Sequence, residues 1–208
     1  AAWLLPADTQ ARKRPGYREV VGVLRDRPGL RAPLLLAFFD RFTVGFFTTG
    51  FPLLLAGVHA VETPTIGMML AAFLYPFALL SYPFGRAAER WNRLRMVAIG
   101  SLVYGLAVSM VGIAPASAMW VLMPVCGVTS AVMFIPTLLW LLDQAPGVGR
   151  STAMATFHTA GSLGFLVGPL VCGEFIDRGR FDVAFAVAGA SEIVGAILVV
   201  LLALRRRG

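Results

Sequence analysis

Six long apolar runs take up most of this chain and leave it very few folds to choose from. They cover residues 32–58, 65–84, 96–113, 119–142, 151–176 and 183–204. About 18 apolar residues are enough for a helix to cross a hydrocarbon core ~30 Å thick. At that depth no water is present to satisfy backbone groups, so only helices or a closed barrel can span. Apolar residues here are continuous rather than alternating, which excludes the barrel. The expected fold is therefore an all-α membrane protein with six transmembrane helices. Composition agrees: 58% of residues are hydrophobic and only 14% charged, against about 25% charged in soluble domains.

The basic residues set an expected orientation. Seven of the 18 Lys and Arg precede the first span (Arg12, Lys13, Arg14, Arg18, Arg25, Arg27, Arg31). Arg86, Arg90, Arg93 and Arg95 join spans two and three, Arg150 precedes span five, and Arg205, Arg206 and Arg207 follow span six. These segments alternate to one side. The other side receives Arg178 and Arg180, offset by Asp177 and Asp182. The positive-inside bias then places both termini in the cytoplasm of a multi-pass protein of the cell membrane, plasma or bacterial inner. A sequence pI near 10.4 needs no nucleic-acid partner, because the charges are topogenic and lie where anionic lipid headgroups are.

Cys126 and Cys172 both fall inside spans, as small packing residues do, which argues against a disulfide or a thiolate metal site. The opening Ala1-Ala2-Trp3-Leu4-Leu5-Pro6 lacks the pattern of a cleaved signal peptide. It reads as the end of a preceding span in a fragment. Residues 1–30 are thus expected to be that remnant plus a basic cytoplasmic linker, and 31–208 the transmembrane unit. Within the linker, Val20, Val21, Val23 and Leu24 interleave with Arg18, Glu19, Arg25 and Asp26. That pattern suits either two turns of interfacial amphipathic helix or an unstructured tether.

The connection between spans two and three carries Gly85-x-x-x-Glu89-Arg90-x-Asn92-Arg93. It resembles the loop motif of the major facilitator superfamily, Gly-x-x-x-Asp-Arg-x-Gly-Arg, with Glu89 for Asp and Asn92 for Gly. Asn is the residue after Gly that best tolerates a left-handed backbone. The resemblance implies a cytoplasmic gating loop of Gly85, Glu89, Arg90 and Arg93 that latches in one conformation and releases in the other. The alternative is that the arginines only enforce topology.

Span five carries a second resemblance, Gly164-x-x-x-Gly168-Pro169-x-x-Cys172-Gly173, similar to the family's Gly-x-x-x-Gly-Pro-x-x-Gly-Gly motif associated with antiporters. Gly164, Gly168 and Gly173 remove side chains so that a neighbouring helix can approach, and Pro169 removes a backbone bond and permits a bend. This reads as a gate or as a close-packed helix pair. Pro76, Pro83, Pro124 and Pro136 add sites where helices can kink. Transporters of the family have twelve spans in two halves, each a pair of inverted three-span units. The chain therefore looks like one half of a major facilitator fold. The degenerate loop motif, the long basic linker and a fourth span without Arg point to the C-terminal half, with the missing six-helix half upstream or, failing that, in a second copy.

Charges within a bilayer cost at least ~2.5 kcal/mol near its centre and default to function. Asp40 and Arg41 lie about 12 to 14 Å into the first span, His158 about 10 Å into the fifth and Glu192 about 14 Å into the sixth, at 1.5 Å per residue. These four are the candidates for substrate binding and proton coupling. Neighbours on a helix point about 100° apart, so Asp40 and Arg41 are not expected to neutralise each other. The resemblance implies that Glu192 is peripheral, because the third and sixth spans of each half lie outside the cavity. Met133, Phe134 and Trp140 in span four are cavity-lining candidates for an apolar or amphipathic solute, or plain packing.

A membrane enzyme finds no support: there is no paired-His metal motif, Gly-x-Ser-x-Gly or phosphate loop, and no cofactor is implied. The expected function is secondary active transport of a small organic solute by alternating access, with proton antiport and efflux as the leading mode. Its partners are that solute, protons and lipid. Uptake by symport, or a non-transporting sensor or scaffold that keeps the fold, are the alternatives.

Overall fold

The computed structural model describes residues 28–145 and 149–204. The basic linker, its candidate amphipathic segment and the Arg205 to Arg207 tail lie outside them. Six helices follow in order: α1 (Arg31–Gly57), α2 (Thr63–Arg90), α3 (Arg93–Val111), α4 (Met119–Asp143), α5 (Arg150–Ile176) and α6 (Phe181–Leu204). Short 3-10 turns lead into α1 at Pro28–Leu30 and into α4 at Ala116–Ala118. All six are long and apolar enough to cross a membrane, and no strand occurs among the described residues. Pro52, Pro76, Pro83, Pro124, Pro136 and Pro169 all stay inside uninterrupted helices.

The sequence expectation of an eleven-residue connection between spans two and three is corrected. Helix α2 runs on through Gly85, Glu89 and Arg90, α3 begins at Arg93, and the turn is Trp91–Asn92 alone. Ala87, Ala88 and Glu89 are strong helix formers, so charge alone does not end the helix. Gly85 sits where an added Cβ would lie 3.3 Å from Ile135 of α4, so its place is in a helix contact rather than a loop exit. Asn92 caps α3, its Oδ1 accepting a hydrogen bond from the Arg95 N–H at 3.1 Å.

Close approaches give the helix directions. Gly161, Gly164 and Gly168 of α5 meet Arg41, Phe38 with Phe42, and Phe42 with Phe46 of α1 in ascending order, so these two helices run parallel. Phe73 of α2 meets Gly127 of α4 and Gly85 meets Ile135, again parallel. Between α3 and α6 the order reverses, Gly105 against Gly189 and Gly112 against Phe181. The main helix pairs are α1 with α5, α2 with α4, α3 with α6, α3 with α4 and α1 with α6. Exchanging the first three helices for the last three maps α1–α5 onto α4–α2, α1–α6 onto α4–α3, and α3–α6 onto itself. That is the pairing of two inverted three-helix repeats.

Lipid is as apolar as leucine, so dispersion and close backbone contact rather than the hydrophobic effect must hold such helices together. Glycine supplies the contact. A Cβ at Gly164 would fall 2.9 Å from the Phe42 nitrogen and still closer to the Phe38 carbonyl oxygen. Gly173 is a correction to the expected packing set: nothing lies within 4 Å of its Cβ position. Five residues beyond Gly168 it is rotated about 140° around the helix, away from α1. Burial is uneven: α1 is the most enclosed helix, whereas α2 and α5 leave most of their apolar surface uncovered.

Candidate functional site

Helix α1 is enclosed by α5 and α6, and it carries Asp40 into the interior, 6% exposed. One of its oxygens, Oδ2, lies 3.7 Å from the Arg41 Nε, and Oδ1 has no hydrogen-bond partner. The expectation that these neighbours ignore each other is corrected, because the long arginine side chain bends back across the 100° between them. At 3.7 Å the contact is an ion pair but exceeds hydrogen-bond length.

Glu192 is the larger correction. It is 1% exposed and faces the bundle interior, not its periphery. α6 packs on both α1 and α3, and small residues, Ala188 with Gly189 and Gly195, let it come close. The hydroxyls of Thr43 and Ser101 face Glu192, while its Oε2 has no partner. Asp40 and Glu192 both line one small cavity with Leu36, Ser101, Met133 and Thr137. Its volume is about 10 Å³, at the threshold for a single water molecule. Tyr104, one turn beyond Ser101, is buried beside the same group and interacts with both carboxyls.

Arg41 leads from this interior to an open groove. Its guanidinium carbon lies 4.7 Å from the centre of the Phe134 ring, a cation–π contact, and its side chain is 35% exposed. With Phe157, His158, Gly161, Ser162 and Phe165 it lines a groove of about 230 Å³. His158 is exposed there and packs edge-on to Phe157, with ring centres 6.0 Å apart. It shares the groove with Arg41 but does not line the carboxyl cavity. An aromatic series borders this face: Phe73 to Phe77, Phe77 to Phe134 and Phe134 to Phe157, at 6.3, 6.0 and 5.9 Å between ring centres.

Of the three residues expected to line a cavity, two line the carboxyl cavity: Met133, buried against Ser101, and Phe134, whose ring also carries the Arg41 guanidinium. Trp140 packs instead with Ala32, Leu36, Val97 and Val199 and borders a different opening near Arg93 and Asp143. Seven residues on from Met133, it is on the same helix face but about 10 Å farther along.

At that end Arg93 holds α3 to two neighbours. Its Nε donates to the Ala88 carbonyl at 2.9 Å, and its guanidinium is ion-paired with Asp143 at the end of α4. Glu89 and Arg90 are both exposed on the last turn of α2. Asp143 escaped the sequence analysis, as did Thr43, Ser101 and Thr137. Asp143 had a signal, an acid at the end of the span that returns to the arginine-rich side. The hydroxyl residues had none, because Ser and Thr are common in membrane helices wherever small residues pack.

Among the described residues no group of three or more His, Cys, Asp and Glu could hold a metal ion. The two cysteines are free and buried.

Sequence comparison places these features in a family. The family model described as Major Facilitator Superfamily matches residues 34–208. Multidrug resistance protein 2 of Bacillus subtilis (strain 168) is 29% identical over 135 residues, covering 64% of this chain and 33% of that protein. Multidrug resistance protein 1 of the same organism is 27% identical over 169 residues, 81% of this chain and 42% of that protein. The chain thus spans between a third and just over two-fifths of the length of these curated relatives.

Proposed function

Because this chain belongs to the Major Facilitator Superfamily, we propose that it forms the C-terminal six-helix half of a transporter exporting a small organic solute in exchange for protons. One observation carries the reading: two carboxyls are enclosed in the bundle, and Arg41 connects them to an open aromatic groove. A scaffold gains nothing from burying charge that costs at least ~2.5 kcal/mol near the bilayer centre. A proton carrier requires it. Loading a proton lowers the negative charge that Asp40 and Glu192 set against Arg41, so the charge presented to the groove depends on protonation.

The groove suits a flat, amphipathic solute, with Phe157 and Phe165 for its apolar body and Arg41, His158 and Ser162 for its polar end. Relatives named as multidrug resistance proteins favour export over uptake. The uncovered faces of α2 and α5 meet the other six-helix half, and the carrier rocks about the groove between them. The glycine contacts of α1 with α5 act as its gate surface, and the Arg93–Asp143 pair with Glu89 and Arg90 as the cytoplasmic latch. The arginine-bearing helix ends then face the cytoplasm across the cell membrane, among anionic headgroups.

The test is solute flux in liposomes of the intact protein with Asp40→Asn beside the parent. The parent should concentrate solute when a pH difference is imposed, whereas the variant should only equilibrate it. Unchanged concentration by Asp40→Asn removes Asp40 from the mechanism.

A further inference from the structure

We infer that Asp40 and Glu192 form one site holding a single proton between them, so that α1 and α6 carry the coupling ion jointly. The inference rests on the transporter reading only for its consequence, the coupling of that proton to solute.

Hydrogen-bond acceptors outnumber donors around the pair. Two carboxylates present four oxygens. Asp40 Oδ2 has Arg41 at 3.7 Å, and one Glu192 oxygen is faced by the Thr43 and Ser101 hydroxyls. Asp40 Oδ1 and Glu192 Oε2 have no partner, and both residues are more than nine-tenths buried. The neighbouring hydroxyls have other acceptors. Thr43 donates to the Ala188 carbonyl at 3.3 Å, Thr137 to the Met133 carbonyl at 2.7 Å, and Ser101 to the Met133 sulfur at 3.4 Å. The Tyr104 hydroxyl reaches neither Asp40 Oδ1 nor Glu192 Oε2, which have no partner, so the cavity is short of a donor.

Buried acceptors without donors are rare and costly, and two like charges in one low-dielectric cavity repel. A single proton remedies both at once: it supplies the missing O–H and leaves one negative charge for Arg41. A second proton would leave Arg41 without an anion. Arg41 from α1 and Tyr104 from α3 act on the pair, and Cys126 from α4 acts on Tyr104. α5 contributes Phe157 to the cavity, with His158 turned into the groove.

Since the two carboxyls sit on different helices, relative movement of α6 against α1 must open the pair. The small residues at their contact, such as Gly195 against Phe39, are where such sliding would occur.

Infrared difference spectroscopy on the intact protein in liposomes, titrated upward in pH without solute, tests the site. One protonated-carboxyl band should vanish as pH rises. Both Asp40→Asn and Glu192→Gln should abolish it, because the introduced amide N–H serves the remaining carboxylate and makes the proton unnecessary. The exchanged pair Asp40→Glu with Glu192→Asp should restore it. Two bands, each lost with one substitution, or a band indifferent to both, overturns the shared site. So does loss of the band on adding NaCl at constant pH, which assigns the cavity to Na⁺. Flux in the same liposomes separates the two readings: a shared band with pH-independent flux leaves the proton site standing and removes the coupling.

Discussion

Replacing Gly168 by Ala probes the α1–α5 contact with a single methyl group. The new Cβ would lie 2.9 Å from the Phe46 nitrogen and 3.3 Å from the Gly45 carbonyl carbon, and nearer still to the Phe42 oxygen. All three are backbone atoms and cannot rotate aside. The helices must separate, and overpacking of this kind costs about 1 to 3 kcal/mol. Helix propensity offsets part of it, by about 0.5 to 1 kcal/mol. Gly173→Ala on the same helix meets nothing within 4 Å, so it keeps the propensity gain without the clash. The readout is the reaction of a thiol dye with the free cysteines during thermal unfolding in detergent; Cys126 and Cys172 are both buried, and Cys172 faces Gly50 of α1. Gly168→Ala should unfold at a lower temperature than the parent, and Gly173→Ala at the same or a higher one. Equal midpoints for the two variants would refute the claim that backbone contact, rather than glycine content, holds these helices together.

Two further outcomes follow from the site geometry. The Asp143 side chain is 58% exposed, so a double-mutant cycle with Arg93→Ala and Asp143→Ala should give a coupling below about 1 kcal/mol. That coupling should shrink further in 1 M salt, where the Debye length is about 3 Å; a larger, salt-independent value contradicts the account. At the groove, Phe134→Leu removes a cation–π contact of about 0.5 to 2 kcal/mol. It should raise the flux KM roughly 2- to 30-fold and shift the pH dependence with it, because Phe134 lines the carboxyl cavity and holds the Arg41 that pairs with Asp40. A raised KM with an unchanged pH profile would contradict that linkage.

The spans and their order were legible in the sequence because 18-residue apolar runs leave little else for a chain to do in lipid. Asp40, Arg41, His158 and Glu192 stood out for the same reason, as charges where none is cheap. Their grouping was not legible. Depth along a helix can be counted at 1.5 Å per residue, but which face meets which depends on glycine contacts between helices distant in sequence. Glu192 therefore read as peripheral until the approach of α6 to α1 put it beside Asp40. His158, at a similar depth, turned into the groove instead. Trp140 shows the complementary error, since the right helix face two turns away is a different site. Helix ends were blurred because Arg and Glu extend a helix into the headgroups as readily as they end it.

The most direct test of proton exchange is to impose a pH step across liposomes of the intact protein and follow internal solute and internal pH together. Solute should move against its own gradient as protons move the opposite way, and collapsing the pH step with an ionophore should stop it. Solute moving in the same direction as protons, or at the same rate with the step collapsed, would contradict the account.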